Sequence, residues 1–351
     1  MFKKILGLAL ASTLLFTGCS AGNNDNSKET NKETNKEEIQ ATETIKFQVG
    51  YENNQNEPTS KAVEKWAELV KEKSDGKIEF ELFPNSSLGS KTDLMDQMQI
   101  GQPVITVADA AYLAEYGVND YGILYAPYLF NNWDEVWKAI DSDWYKSLTD
   151  ELAKKSKIRV LSSNWIYGER CFMTNKKVVV PKDIEGLKVR VSSNDIAIKS
   201  FENLGVSPVA MEMGDVYTSL QTKMIDGVEN PLVSLSNRSF DEVCKYVVKN
   251  NHIFASQIWV CSEEFFEKLT EEERQIVIDA ANEAGLYNNE LYEEATNEAE
   301  EKMKENGVEI TELNEEEFNE WVNKGKKFFD LGKEFGWSDN LYQTIRDLVE
   351  K

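Results

Sequence analysis

Two arginines and an asparagine, each in an unusual setting, are the residues of this chain best suited to bind a small molecule. Arg190 interrupts an apolar run in Gly186-Leu-Lys-Val-Arg190-Val. Arg170 ends Tyr167-Gly-Glu-Arg170, and Asn230 precedes a proline in Asp226-Gly-Val-Glu-Asn230-Pro231. A guanidinium meets a carboxylate with two parallel hydrogen bonds, a geometry that lysine lacks. Brought together, these three side chains would form a receptor for a carboxylate.

Each of these residues also has an ordinary structural interpretation. An arginine between two valines fits an exposed strand with a surface salt bridge, and in isolation this interpretation is favoured for Arg190. Residues 227–231 fit a type I or II turn in which Asn230 caps local backbone. Residue types and spacing alone do not bring the three side chains together.

The elements that must position these residues begin with an alternation of strands and helices. Period-two and helical spacings predict strand, helix, strand, helix and strand over residues 45–49, 62–70, 78–82, 90–98 and 104–108. This order predicts parallel pairing in an α/β domain. Ligands of such sheets lie beyond the carboxyl ends of the strands, here at the loops 51–53 and 108–110.

A second α/β pattern follows and ends in a long helix. Residues 157–162 and the Arg190 segment are predicted strands, and Ser193 or Asn194 can cap a helix that runs to Gly205. Thr270-Glu-Glu-Glu has capping-box spacing and opens a helical pattern that continues to Met303. Roughly thirty residues at 1.5 Å each span about 45 Å, which predicts a helix bracing two domains across a cleft.

Composition excludes several classes of partner. The chain has 351 residues, a formal net charge of -23 and one histidine. It offers no basic face for nucleic acid and no attraction to an anionic membrane surface. An anionic ligand would need a local positive pocket within this acidic protein.

The first residues predict export. Residues 1–19 combine Lys3 and Lys4, a short apolar core and Leu15-Phe-Thr-Gly-Cys19, which resembles a bacterial lipobox with Cys19 as the lipidated residue. The alternative is an ordinary signal peptide with an incidental cysteine. Residues 20–43 are polar and nearly repetitive, so we predict a flexible linker. The predicted location is the outer face of the cytoplasmic membrane, reached only through the lipid anchor.

Nothing in the sequence predicts catalysis, a cofactor or a metal site. The three other cysteines, Cys171, Cys244 and Cys261, are widely spaced and contain no CxxC motif, so buried free thiols are favoured over a disulfide framework. A nucleophile–histidine pairing, a phosphate-binding loop and the HExxH motif are all missing. We therefore predict a protein that is not an enzyme.

From about Ile45 to its end, the chain resembles the solute-binding proteins of tripartite ATP-independent periplasmic (TRAP) transporters. The resemblance implies an α/β, two-domain fold of the periplasmic-binding-protein type, with a central ligand cleft and a long helix spanning both domains. Ordered motifs carry it: Ser74-Asp-Gly-Lys-Ile, Pro84-Asn-Ser-Ser-Leu-Gly89, Ala126-Pro-Tyr-Leu-Phe130, Asp183-Ile-Glu-Gly-Leu-Lys-Val-Arg190, Asp215-Val-Tyr-Thr-Ser-Leu-Gln221, Asp226-Gly-Val-Glu-Asn-Pro231 and Asn251-His252.

The resemblance also implies roles for individual residues. Arg190 would clamp the ligand carboxylate, with Arg170 and Asn230 lining the same pocket. Four further positions face the ligand in relatives and are predicted to do so here: Glu52, Lys91, Asp109 and Met213. Asp109 matches sialic-acid-binding members, whereas Glu52 stands where they carry an amide and Lys91 where they carry an acid. The polar set favours a sugar acid, such as a uronate or aldonate, over a C4-dicarboxylate or sialic acid.

Domain boundaries and partners follow from the same resemblance. We predict one domain from residues 44–167 and 256–290, and a second from residues 168–255 and 291–351. The predicted partners are a small organic anion and the membrane subunits of a TRAP permease, with the receptor acting as a monomer. An alternative is a ligand-sensing lipoprotein that docks on a chemoreceptor or kinase.

Overall fold

A mixed β-sheet runs through the part of the protein that the computed structural model describes, residues 44–351. Nine strands make it up within these residues. They are β1 Ile45–Gly50, β2 Ile78–Phe83, β3 Val104–Ala108, β4 Ile158–Thr174, β5 Lys188–Val191, β6 Ser207–Ala210, β7 Gly227–Pro231, β8 Tyr246–Ser262 and β9 Glu309–Thr311.

Two parallel groups of strands are joined by two long antiparallel strands. The strand order is β2-β1-β3-β8-β4-β7-β5-β6, and β9 pairs with β8. The first parallel group comprises β1, β2 and β3, and the second comprises β5, β6 and β7. Between them β4 and β8, each 17 residues long, pair with one another antiparallel. The predicted parallel pairing is confirmed in the first group, whereas the two long central strands were not predicted.

Helices cover the sheet and follow its strands. They are α1 Pro58–Lys73, α2 Lys91–Gln99, α3 Ala110–Glu115, α4 Trp133–Ile140, α5 Asp143–Ser156, α6 Pro181–Ile184, α7 Asp195–Leu204, α8 Val216–Gln221, α9 Leu232–Asn237, α10 Glu263–Phe266, α11 Glu271–Glu305, α12 Glu315–Gly325 and α13 Leu341–Val349. Short 3-10 helices lie at Asn119–Tyr125, Met213–Asp215, Phe240–Glu242 and Lys326–Leu331. None of the helices in residues 44–351 is long and apolar enough to cross a membrane.

Helix α11 reaches from one parallel group to the other. Its 35 residues begin at a capping box of Thr270 and Glu273, as predicted, and span about 53 Å at 1.5 Å per residue. Near its start, the Val277 carbonyl accepts a hydrogen bond from Trp66 of α1. Near its end, Lys302 donates to the Ser236 carbonyl of α9. The long bracing helix is therefore confirmed.

The interpretation of residues 227–231 as a turn is wrong, because Gly227–Pro231 is a buried strand. β7 pairs antiparallel with β4 and parallel with β5. Asp-Gly and Asn-Pro are turn signals, but here they mark the two ends of the strand. A Cβ at Gly227 would lie 2.7 Å from the Met173 carbonyl oxygen, and Pro231 sits at the last position, where α9 begins.

The structure bears on the predicted free cysteines, but not on the predicted domain boundaries or on residues 1–43. Cys171, Cys244 and Cys261 are buried free thiols within the described residues. The described residues belong to one compact unit, and the two predicted domain boundaries remain predictions. Cys19, the signal peptide 1–19 and the linker 20–43 lie outside the described residues.

Candidate ligand-binding site

A cavity lies where the carboxyl ends of β1, β3 and β5 meet β7. The loops after β1 and β3 carry Glu52 and Asp109, at the edge of the sheet where the parallel topology predicts a site. The cavity has a volume of about 50 Å3 and is partly open to solvent. The structure places all seven predicted ligand-binding residues around it: Glu52, Lys91, Asp109, Arg170, Arg190, Met213 and Asn230.

Arg190 is buried but lacks a carboxylate partner. It lies on β5 between Val189 and Val191, both fully buried, and is itself 5% exposed. Its Nε donates to the Met211 carbonyl at 2.9 Å, and no acidic oxygen lies within 4.0 Å among residues 44–351. The exposed surface strand considered for Arg190 is therefore wrong. Its two terminal nitrogens remain available to an anion in the cavity.

Arg170 differs from Arg190 because its fork is already occupied. Its Nε and Nη2 lie 2.6 and 2.7 Å from the two carboxylate oxygens of Glu229. Arg170 pairs with Pro231 across β4 and β7, so Glu229, two residues earlier, lies diagonally opposite on the same face. Only Nη1 of Arg170 lacks a hydrogen-bond partner among the described residues.

The neighbours of Glu229 stabilise its negative charge. Burial raises the pKa of Glu229. Arg170, followed by His252, lowers this pKa by more than burial raises it, so the net shift is downward. His252 Nε2 lies 3.4 Å from Glu229, and the His252 ring stacks on Phe172 with 4.8 Å between centroids. Burial lowers the pKa of His252 despite the adjacent carboxylate. Arg170 therefore stabilises the ionised form of Glu229, and burial favours the neutral form of His252.

Asn230 presents an unpaired amide. Its Oδ1 accepts a hydrogen bond from the Tyr167 hydroxyl at 3.0 Å, which fixes the orientation of the side chain. Its Nδ2 is buried and has no partner within the described part of the chain. Buried donors of this kind are costly unless a partner arrives. The described residues therefore leave this amide donor free for a further partner.

Lys91 lies between the two acidic residues of the cavity. Its Nζ is 3.7 Å from Glu52 and 3.6 Å from Asp109, and 4.6 Å from the centroid of the Tyr112 ring. Burial lowers the pKa of Lys91, but the carboxylates of Glu52 and Asp109 raise it by more. Asp109 also accepts from the Tyr112 backbone at the start of α3, so the cluster is held by both its charges and its helix cap.

Burial alone would raise the pKa of Glu52, yet that pKa is lowered. Lys91 is the largest opposing cause, followed by Arg190 and Arg238. Glu52 is therefore an anion and a hydrogen-bond acceptor. Met213, on the 3-10 helix after β6, adds a half-buried apolar side chain to the opposite wall.

Several lining residues were not predicted from the sequence. Arg238 follows α9, lines the cavity and donates through Nη2 to the Glu52 carbonyl at 2.7 Å. Asn53 accepts from Gln257 at 3.2 Å in the same wall. Tyr167 also lines the cavity. It begins the Tyr167-Gly-Glu-Arg170 motif, so its place next to a predicted site residue could have indicated it. No spacing in the sequence points to Arg238.

The charges around the cavity suit a single anion with neutral polar groups. Lys91, Arg170, Arg190 and Arg238 supply four cations, and Glu52, Asp109 and Glu229 supply three carboxylates. One positive charge remains in a protein whose net charge is -23. The free guanidinium fork of Arg190 can pair with a carboxylate, and the acidic oxygens of Glu52 and Asp109 can accept hydrogen bonds from hydroxyl groups.

Two parallel groups of strands, a charged cleft between them and a bracing helix define a two-domain solute-binding protein. The family model "Bacterial extracellular solute-binding protein, family 7" matches residues 49–333. The chain belongs to this family, the solute-binding proteins of TRAP transporters, and the resemblance seen in the sequence is confirmed. The family consists of extracytoplasmic receptors that bind small organic anions and work with membrane permease subunits, and not of enzymes.

Solved structures and a curated relative agree with this assignment. A TRAP solute-binding protein from Ochrobacterium anthropi with bound L-fuconate is 36% identical, with a TM-score of 0.83 over 87% of this chain and 99% of the other. One from Actinobacillus succinogenes with bound L-galactonate is 34% identical, with a TM-score of 0.81 and coverage of 87% and 99%. The 2,3-diketo-L-gulonate-binding periplasmic protein YiaO of Escherichia coli is 30% identical over 80% of this chain and 84% of its own length.

Proposed function

We propose that this protein captures a monoanionic sugar acid, an aldonate or uronate, outside the cell and delivers it to the membrane subunits of a TRAP permease. The observation that carries the proposal is Arg190, a buried guanidinium with no acidic partner among the described residues and its terminal nitrogens free for the cavity. The ligand carboxylate pairs with this fork. Nη1 of Arg170 and Nδ2 of Asn230 donate to the same carboxylate or to the adjacent hydroxyl.

The other end of the ligand meets Lys91, Glu52 and Asp109. A polyol chain satisfies two carboxylates and an ammonium with hydroxyl groups, which both donate and accept hydrogen bonds. A second carboxylate on the ligand would face the charges of Glu52 and Asp109 instead. Met213 packs against carbon atoms of the chain. The sugar-acid ligands of the two solved relatives support this assignment.

Export and tethering complete the proposed role. Cys19 carries the lipid, residues 20–43 form the linker to the membrane, and the receptor acts as a monomer. Delivery to a permease distinguishes this role from that of a lipoprotein that reports the ligand to a chemoreceptor or kinase. Labelling of Cys19 with a lipid precursor, absent in Cys19→Ser, tests the anchor. Loss of sugar-acid uptake on deletion of the gene tests delivery.

A thermal-shift screen tests the ligand class. L-galactonate, L-fuconate, D-glucuronate, sialic acid, succinate and malate are each added to the same protein, and calorimetry follows the compounds that raise Tm. A ligand at 100 times its Kd adds about 2.7 kcal/mol to the free energy of unfolding. Stabilisation by the aldonates or the uronate, with recovery of the compound unchanged, is expected. Stabilisation by succinate or malate alone would overturn the proposal.

A further inference from the structure

Arg238 is the one cation of the cavity that also joins the loops of the two parallel groups of strands. It follows α9, which continues β7 of the second group, whereas Glu52 follows β1 of the first group. The Arg238 Nη2 lies 2.7 Å from the Glu52 carbonyl oxygen. In the sheet, β3, β8 and β4 separate β1 from β7, so this hydrogen bond crosses the cleft itself.

The side chain of Arg238 is held on a fixed element. All residues of α9 except the last, Asn237, are buried. Lys302 ties the end of α9 to α11, and Phe240 just beyond it is 1% exposed. The Arg238 Nε lies 3.4 Å from the Ser234 hydroxyl one turn earlier on α9. The guanidinium is thereby directed towards the cleft, with little rotamer freedom left to lose on closure.

The opposite partner is a loop whose own polar groups are ordered. Asn53 donates to Glu57 at 2.7 Å and accepts from Gln257 at 3.2 Å. The Asn54 backbone donates to Glu57 at 2.8 Å. Residues 51–57 therefore form one hydrogen-bonded unit that carries Glu52, and a bond to the Glu52 carbonyl positions the unit as a whole.

Arg238 has no carboxylate within 4.0 Å among residues 44–351, although Glu52 and Glu57 are close enough to feel its charge. Burial raises the pKa of Glu57, and Arg238 is the largest of the causes that oppose this rise. A backbone carbonyl accepts a hydrogen bond without neutralising the guanidinium, so the positive charge of Arg238 still acts on the cavity. Arg238 thus acts on the ligand electrostatically and on the loop by a direct bond.

From this geometry we propose that Arg238 is a positioning residue that closes the cavity by tying residues 51–57 to α9 and sets the orientation of Glu52 towards the ligand. The ligand part of this inference rests on the proposed function, whereas the loop part does not. Loss of Arg238 frees the loop and opens a path for the ligand to leave. Its effect therefore falls on the dissociation rate more than on the association rate.

Hydrogen exchange of the ligand-free protein tests the loop part. Arg238→Ala is compared with wild type and with Arg274→Ala, a matched control, because Arg274 also donates to a carbonyl, that of Leu269 at 3.0 Å, but does not line the cavity. Amides of residues 51–57 should exchange about tenfold faster in Arg238→Ala only, since one bond from a charged donor is lost. Equal rates in all three proteins, or a uniform increase over the whole chain, would overturn the proposal.

Stopped-flow fluorescence with L-galactonate tests the ligand part. Arg238→Ala should raise the dissociation rate about tenfold and change the association rate by less than about threefold. Arg238→Lys should restore part of the loss, because it keeps the charge but not the fork. Unchanged dissociation in Arg238→Ala would overturn the role of Arg238 in ligand retention. Failure of wild type to bind L-galactonate would count against the proposed ligand and not against the role of Arg238. The hydrogen-exchange rates of residues 51–57 then decide whether Arg238 positions the loop.

Discussion

Arg170 and Glu229 form a buried bidentate ion pair, with Nε and Nη2 of Arg170 at 2.6 and 2.7 Å from the two carboxylate oxygens of Glu229. Because of this pair, the two arginines predicted to bind the ligand differ in their free hydrogen-bond donors. Arg170 is held by Glu229 and supports the wall of the cavity, whereas the terminal nitrogens of Arg190 face the cavity unpaired. We therefore expect a ligand carboxylate to bind Arg190 in preference to Arg170.

Arg190→Ala is expected to remove measurable binding of L-galactonate while the apo protein keeps its Tm. Two hydrogen bonds from a charged donor are lost, which weakens binding about 100-fold or more. Tm should stay within about 2 °C, because the guanidinium makes no ion pair among the described residues. Calorimetry and a thermal melt measure the two effects. Wild-type affinity in Arg190→Ala would defeat the assignment, and Arg274→Ala serves as the control.

Glu229→Gln is expected to destabilise the protein strongly. The Arg170 charge would remain buried without its partner, at a cost of about 3–5 kcal/mol. Glu309→Gln is the matched control, since the Lys177–Glu309 pair is 52% exposed on both sides and its loss costs under about 1 kcal/mol. Urea unfolding measures both. Replacing both partners, Arg170→Met with Glu229→Leu, should recover most of the loss, and a double variant as unstable as the single one would contradict this.

Local rules predict the elements of the fold, and long-range pairing supplies what they miss. The capping box at Thr270 and Glu273 and the cap at Asn194 need only neighbouring residues, and both are confirmed. In the region of β4, only residues 157–162 were predicted as a strand, because the register of β4 shifts repeatedly between Val160 and Phe172, which breaks the period-two pattern. Arg238 contacts Glu52 across 186 positions of sequence, and nothing in either neighbourhood encodes that approach.

The stability of the C-terminal helix should depend on pH through Glu135. Arg346 of α13 donates to both carboxylate oxygens of Glu135, at 2.6 and 3.0 Å. Burial raises the pKa of Glu135, but the hydrogen bonds from Arg346 and then Asn131 outweigh burial. The net effect lowers this pKa from 4.5 to about 2. Because the folded pKa is below the unfolded one, the stabilisation is complete above about pH 4.5 and is lost as pH falls towards 2.

Glu135→Gln should therefore lower stability by about 1–3 kcal/mol at pH 7. The difference from wild type should shrink between pH 4.5 and pH 3, because unfolded wild type binds a proton at Glu135 in this range while folded wild type does not. Urea unfolding at pH 7, 4.5 and 3.5 measures it. The exposed Glu290→Gln on α11 is the control and should differ little from wild type at any pH. A Glu135→Gln deficit that is constant across this range would show that the ion pair is not its origin.

Removing the two acids beside Lys91 should change the charge of ligand that the cavity prefers. Glu52→Gln with Asp109→Asn raises the cavity charge from one to three positive, because Lys91 loses both partners at 3.7 and 3.6 Å. Asparagine at position 109 still caps α3, so the fold should be kept. The unpaired ammonium then favours a ligand with a second carboxylate, which replaces the lost partners.

We expect L-galactonate to bind about tenfold more weakly to this double variant, since its hydroxyls lose two charged acceptors. Succinate should bind about tenfold more tightly than it does to wild type, because it brings its own negative charge to Lys91. Calorimetry with both compounds measures the ratio of the two affinities, and Glu290→Gln is again the control. An unchanged ratio would mean that Glu52 and Asp109 do not face the ligand, and that selection against dicarboxylates arises elsewhere in the cavity.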